Sequence, residues 1–399
     1  HGFLFVFFVA YRTMLIYKCV TKNGKGGDIF IWRSKVSNNI LKKGGTAMGK
    51  TKCSVVVGML VVFLSLFVLG VSASAAEKGV IKWDVSLWGP LGARVWPIQW
   101  WAEEMEKRTD GRFKAILHPG AELSPPKQQL DGIRAGLYEM AHFCPLYAPG
   151  KAPLGMIFSV PCIIPLGLKN IAKMELAFME HPAAKKLMAE RWNAVYMGLS
   201  HTRPNYTFLG IKPIRSIEDL KGQRIRIGGK TGELFKKLGA APVMMSAPEV
   251  YEAVSKGILD QSYFAPASHY GYKIHEVSKY YTYNLGAGSG MLWAFVANKD
   301  AWNALPGDIK KIHKALAKEL MLERLPNEMD TFISQTIYKE WKGRGIEFIE
   351  FPANSRQKLM ETAKPMWEDW ADSVEKQGLP GKEILDFILK KKKEIEEGK

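Results

Sequence analysis

The chain has 399 residues, of which 47% are hydrophobic, with 56 lysines and arginines, 39 acidic residues and four cysteines. That length suffices for two domains with cores of their own. The net charge of +17 points at first to a polyanionic partner, but ten basic residues and only one acidic residue fall in 1–76, so the remainder carries +8. No basic stripe interleaved with aromatics survives there, which leaves nucleic-acid binding without support, and the four lysines at 390–393 read as a solvated helix end.

The segment before Met48 shows no sustained period, and its apolar run is shorter than the ~20 residues needed to span a bilayer. Lys43-Gly44-Gly45 just before Met48 matches the translation of a purine-rich ribosome-binding sequence. Residues 1–47 are therefore expected to be translated upstream DNA. From Met48 the order becomes regular: Lys50 and Lys52, an apolar run from Ser54 to Gly70, then the small-x-small sites Ala73-Ser74-Ala75 and Ser74-Ala75-Ala76. This is the pattern of a cleaved secretory signal peptide over 48–76, with Cys53 placed before the apolar run. Export places the remainder in an oxidising compartment, where Cys144 and Cys162 are permitted but not compelled to pair. N-terminal sequencing of the natural precursor should return no peptide from before Met48.

After residue 76, strands and helices alternate. Ile81 to Leu87 reads as a strand, Val95 to Arg108 as a helix, Phe113 to Leu117 as a strand and Pro125 to Met140 as a helix. This alternation predicts a mostly parallel sheet with covered faces. Residues 144–167 are Pro- and Gly-rich and apolar, a long buried connection. Lys169 to Trp192 reads as two helical pieces around Pro182, and Ala194 to Ser200 as a strand. Arg224 to Ile227 and Pro242 to Met245 read as strands around a helix from Lys230 to Leu238. Ser246 and Glu249 form a capping box for the next helix, and Ile258 to Ser262 starts another strand. Met291 to Ala297 reads as a strand, 308–343 as a long helix, Ile346 to Phe351 as a strand, and 355–377 and 382–396 as helices.

No serine-hydrolase elbow, zinc-protease or P-loop motif occurs after residue 76. His269 and His275 have no acidic partner at ligand spacing and read as surface or partly buried residues. The informative segment is Asp219-Leu220-Lys221-Gly222-Gln223-Arg224-Ile225-Arg226-Ile227-Gly228-Gly229. In a strand, Arg224 and Arg226 share one face. An arginine at the C-terminal end of such a strand reaches the crevice where open α/β sheets bind ligands, and its planar fork matches a carboxylate. On spacing alone both arginines read more readily as edge charges in solvent.

The run 217–260 resembles the solute-binding component of tripartite ATP-independent periplasmic (TRAP) transporters. The matching residues are Glu218-Asp219-Leu220-Lys221-Gly222, Arg224-Ile225-Arg226-Ile227, Leu238-Gly239-Ala240, Pro242-Val243, Glu249-Val250-Tyr251 and Gly257-Ile258-Leu259-Asp260. Glu106 to Gly111, Ala297-Asn298-Lys299 and Leu305-Pro306 extend the resemblance over nearly all of 77–380. It implies an α/β, two-lobe periplasmic binding protein fold with a hinge and a long helix crossing both lobes. One lobe is expected from 77–202 with 291–331, the other from 203–290 with 332–399. The resemblance further implies that Arg226 pairs with a substrate carboxylate and that Arg203 is a second arginine at the site, although its spacing to Lys221-Gly222 is a few residues longer than usual.

The sequence departs from the family after Asp260. Where Gly-x-Glu-Asn usually follows, with its Asn hydrogen-bonding the ligand, Gln261-Ser262-Tyr263-Phe264 stands instead. A branch resembling 2-oxoacid and lactate binders carries Glu-Trp there and uses the Glu on a metal; Tyr263 and Phe264 replace that pair. No metal or cofactor is therefore expected. Apolar walls with a few placed polar groups make a pocket, and Trp88, Tyr147, Tyr263, Phe264 and Trp293 are the expected walls, each also readable as ordinary core. The expected ligand is a monocarboxylate with an apolar or aromatic body, and the expected partners are TRAP integral membrane subunits, with the binding protein itself a monomer. The alternatives are the binding component of an ATP-driven (ABC) importer or a sensor kinase, a periplasmic enzyme, or an exported structural protein.

Overall fold

The computed structural model describes residues 79–88, 96–201, 204–288 and 291–398. The expected upstream and signal segments, 1–47 and 48–76, and Arg203 lie outside the described residues. In chain order the strands are β1 (Ile81–Ser86), β2 (Phe113–His118), β3 (Met140–Phe143), β4 (Ala194–Ser200), β5 (Thr207–Gly210), β6 (Arg224–Arg226), β7 (Ala241–Val243), β8 (Gln261–Phe264), β9 (Tyr280–Tyr283), β10 (Ala294–Asn298) and β11 (Glu347–Glu350). They form two sheets, ordered β2-β1-β3-β10-β4 and β11-β9-β5-β8-β6-β7. Both are mixed rather than mostly parallel. In the first, β10 runs antiparallel to β3 and β4; in the second, β5 runs antiparallel to β8 and β9. The antiparallel members adjoin the places where the chain changes sheet, so this is the two-lobe α/β fold with chain crossings between lobes.

The helices are α1 (Trp96–Arg108), α2 (Gln129–Ala135), α3 (Leu168–Glu180), α4 (Pro182–Trp192), α5 (Gly229–Lys237), α6 (Val250–Ser255), α7 (Pro266–Gly271), α8 (Lys299–Ala304), α9 (307–343), α10 (Ala353–Glu375) and α11 (Gly381–Glu396). Helix α9 is continuous but contains two π-helical turns, Leu320–Arg324 and Ile333–Ile337. Its Leu316, Leu320 and Leu325 pack in the core beneath the first sheet, and its Ile333, Ile337 and Trp341 in a core of the second. It therefore crosses both lobes. The other crossings run from β4 to β5 and from β9 to β10. They are hydrogen-bonded to each other through His201 N to the Trp293 carbonyl (2.8 Å) and Tyr206 N to the Gly288 carbonyl (3.3 Å).

Several elements differ from the sequence reading. The expected helix 125–140 stops at Gly136, which caps α2 in the left-handed region (φ 68°), and the chain then enters β3. Strands β5 and β9 and helix α7 were not expected. Strands β3 and β5 are buried at every position, so they lack the alternation that marks a half-exposed strand. His269 and His275 are both buried rather than at the surface.

Cys144 and Cys162 are both buried and are not bonded to each other. No helix among the described residues is long and apolar enough to cross a membrane.

The first lobe is pegged by a buried polar chain. Trp101 Nε1 of α1 donates to His313 Nδ1 of α9 (3.1 Å), and His313 Nε2 donates to the Met197 carbonyl of β4 (2.7 Å). That arrangement needs the neutral ring. Burial holds His313 down to about 4 and His269 down to about 3. In both, the folded value lies below the unfolded one, so the unfolded chain binds the extra protons on acidification. Their stability contribution is complete above about pH 6.5 and is lost as pH falls toward 4. Urea unfolding should show stability falling across that window, and His313→Gln should flatten the slope.

Candidate functional site

The second sheet sends its β6, β7 and β8 carboxyl ends toward the ends of β1 and β3 in the first, and a cleft of about 530 Å³ opens between them. One side carries Trp88 just after β1, Tyr147 in the turn after β3, and Trp293 just before β10. The other carries Arg226 at the end of β6, Tyr263 and Phe264 at the end of β8, and the start of α5. Six of the seven residues singled out in the sequence thus line one cleft; the seventh, Arg203, is outside the described residues. This is where open α/β sheets hold ligands.

Arg224 and Arg226, alike by pattern, differ in their surroundings. Arg224 donates from Nε and Nη2 to the two carboxylate oxygens of Asp260 (3.0 and 2.9 Å). Asp260 also receives Lys212 (3.0 Å) and the Arg224 backbone N–H (2.8 Å). Burial opposes ionisation of Asp260, but these donors outweigh it and hold the carboxyl well below its ordinary range.

Arg226 is half-buried. Its Nε donates to the Met245 carbonyl (3.3 Å), and its guanidinium lies 4.1 Å from the centre of the Phe264 ring, a cation–π contact. No carboxylate among the described residues lies within ion-pairing distance of it. Burial lowers its pKa, an effect opposed by the nearby Tyr206 and Tyr272 phenols, but a guanidinium stays charged.

The walls are aromatic. Trp88 stacks on His142 (5.2 Å, 10°) and touches Tyr147 and Trp293 (5.1 and 5.2 Å), while His142 stacks on Phe295 (4.8 Å). Tyr263 is spent mostly on structure: it is buried among Tyr206, Phe208 and Phe235, and its hydroxyl donates to the Gly288 carbonyl (3.0 Å). At the mouth, Leu146 and Met244 face the cleft from opposite sides and are exposed, 41% and 77%. The sequence reading missed Tyr206, Tyr272, Thr231 and the Lys230–Glu233 ion pair (2.9 Å). The last two lie in the first turn of α5, and the Gly228-Gly229 step before it carried the only signal for them. No group of three or more His, Cys, Asp or Glu residues among the described residues is placed to hold a metal.

Two lobes joined by crossing segments, with a half-buried guanidinium and aromatic walls between them, have the build of a solute-binding protein. The pattern of "Bacterial extracellular solute-binding protein, family 7" (DctP) matches residues 97–373, and the chain belongs to that family, the solute-binding proteins of TRAP transporters. Among its relatives, the monocarboxylate 2-oxoacid-binding periplasmic protein of Nostoc sp. is 26% identical over 288 residues, 71% of this chain and 74% of that protein. A TRAP solute-binding protein of Desulfovibrio salexigens, solved as an open complex, superposes with a TM-score of 0.70 at 22% identity, covering 78% of this chain and 95% of that one. One from Bordetella bronchiseptica with bound (R)- and (S)-mandelate gives a TM-score of 0.61 at 24% identity, covering 79% and 99%.

Asp260 closes a charge network beneath the cleft without lining it. Asp260→Asn should lower unfolding stability, measured by urea titration at neutral pH, by less than the ~3–5 kcal/mol of a fully buried pair, because Arg224 and Lys212 are 43% and 55% exposed.

Proposed function

We propose that the chain captures a singly charged organic carboxylate with an apolar or aromatic body in the interlobe cleft, with Arg226 as its anchor. It delivers that ligand in the periplasm to the integral membrane subunits of a TRAP transporter, acting as a monomer and transforming nothing. The observation that carries this reading is the half-buried Arg226 guanidinium without a carboxylate among the described residues. Lys230, the other cation of the described lining, is already matched by Glu233, so among the described residues one positive charge is left over, and a monoanion balances it. A dicarboxylate would bring a second charge against Trp88, Tyr147 and Trp293, where no cation among the described residues waits for it. The mandelate held by the Bordetella protein and the 2-oxoacids named for the Nostoc protein are acids of the proposed kind. Closure of the lobes would cover Leu146 and Met244 and desolvate the anchored charge.

Truncating one partner of a buried hydrogen-bonded charge pair costs about 2–5 kcal/mol, where about 1.4 kcal/mol is tenfold in affinity. In calorimetric titrations benzoate, mandelate and branched 2-oxoacids should bind and succinate should not. Arg226→Ala should weaken the bound acid by roughly a hundredfold or more, and Arg226→Lys should also bind poorly because the fork is lost. Full affinity in either variant would remove Arg226 as the anchor.

A further inference from the structure

The lysine run at 390–393 is not uniformly solvated. Lys392 turns inward from α11, its side chain 16% exposed, and its ammonium donates to the Cys162 carbonyl (2.8 Å); the nearest carboxylate, Glu396, is 4.0 Å away. It lines a cavity of about 400 Å³ that shares no residue with the interlobe cleft. Arg356 of α10 lines the same cavity, and its Nη1 donates to the carbonyls of Asn284 (3.3 Å) and Phe351. The remaining walls include Ile164, Leu166, Leu285 and Met360. Two cations thus face one carboxylate in a partly apolar enclosure. An ammonium has three donors; the Cys162 carbonyl takes one, and Glu396 stands at the limit of ion-pairing distance.

The backbone supports the same arrangement. Cys162 is a non-glycine residue in the left-handed region (φ 63°), a conformation that is costly and tends to mark functional sites. Its N–H donates to the carbonyl of Ala287 in the β9–β10 crossing (3.2 Å). The next residue of that crossing, Gly288, accepts the Tyr263 hydroxyl at the cleft. One crossing segment therefore has the cleft on one side and this cavity on the other.

We propose that this cavity is a second anion site. It takes a small monocarboxylate whose charge sits between Lys392 and Arg356 and whose apolar body lies on Leu166, Leu285 and Met360. The probe is sodium butanoate, titrated calorimetrically into Arg226→Ala protein with sodium chloride at equal ionic strength as the control. One saturable event is expected in Arg226→Ala, weakened at least tenfold by adding Lys392→Met and preserved by adding Lys392→Arg. Should Lys392→Met fail to fold by circular dichroism, Gln357→Trp, which fills the cavity from α10, should give the same loss with both cations in place. If Arg226 is not the cleft anchor, Arg226→Ala shows two events and Lys392→Met still removes one, so the two readings fail separately. No saturable event in Arg226→Ala, an undiminished event in both cavity variants, or equal competition by chloride overturns the second site.

Discussion

A half-buried guanidinium without a counter-charge is a costly element to build into a fold, and Arg226 has no carboxylate partner among the described residues. Its residual supports are the Phe264 face, the Met245 carbonyl and two nearby phenols. None of these neutralises it. An anion placed against it would remove that deficit, since charge–charge attraction strengthens where water is excluded. Arg224, two residues earlier, shows the opposite solution: its carboxylate is supplied internally by Asp260, and it is thereby committed to structure. The difference between a brace and a receptor is whether the chain provides the acid.

Everything else at the cleft serves to place that charge opposite an apolar surface. Strand β6 is only three residues long, bonded on both sides in parallel by β7 and β8, and so delivers Arg226 to the strand end with little freedom. Across the gap Trp88 is fixed by its stack on His142, which is itself backed by Phe295. On the proposed reading, a carboxylate end meets Arg226 on one lobe and a hydrocarbon end meets Trp88, Tyr147 and Trp293 on the other, so a ligand that satisfied both would hold the lobes together.

Much of the fold was legible in the sequence because its signals are local. The Glu106–Gly111 motif is a helix stop: Gly111 N bonds the Glu106 carbonyl and Thr109 Oγ1 bonds the Met105 carbonyl, with Asp110 and Gly111 at positive φ. In the 217–260 cluster Asp219 accepts the Arg215 and Ser216 backbone N–H groups, and Gly239 approaches Lys221 at positive φ. These residues are readable because each solves a short-range backbone problem. Strands β3, β5 and β9 escaped because burial on both faces, or a run of tyrosines, erases the two-residue period. At the cleft, Arg226 and the aromatic walls were legible through strand geometry and resemblance. Tyr206, Tyr272 and the Lys230–Glu233 pair were not, because only the crossing of distant segments brings them there. The inward turn of Lys392 was invisible for the same reason: a charge run does not reveal which of its members meets a neighbouring loop.

Helix α9 carries a bookkeeping of angle as well as length. At about 100° per residue, Leu316 and Leu325 would stand on opposite sides of an unbroken rod, yet both pack in one core. The π turn at Leu320–Arg324 lets the winding fall behind by nearly a residue and returns Leu325 to the same flank. The second π turn repeats the correction before Ile337 and Trp341 enter the other core. The rotational phase between the two halves of the molecule is therefore encoded in a residue count. One amino acid gained or lost in either turn would twist the two halves out of alignment and carry Leu325, or Ile337 and Trp341, off the core each now meets.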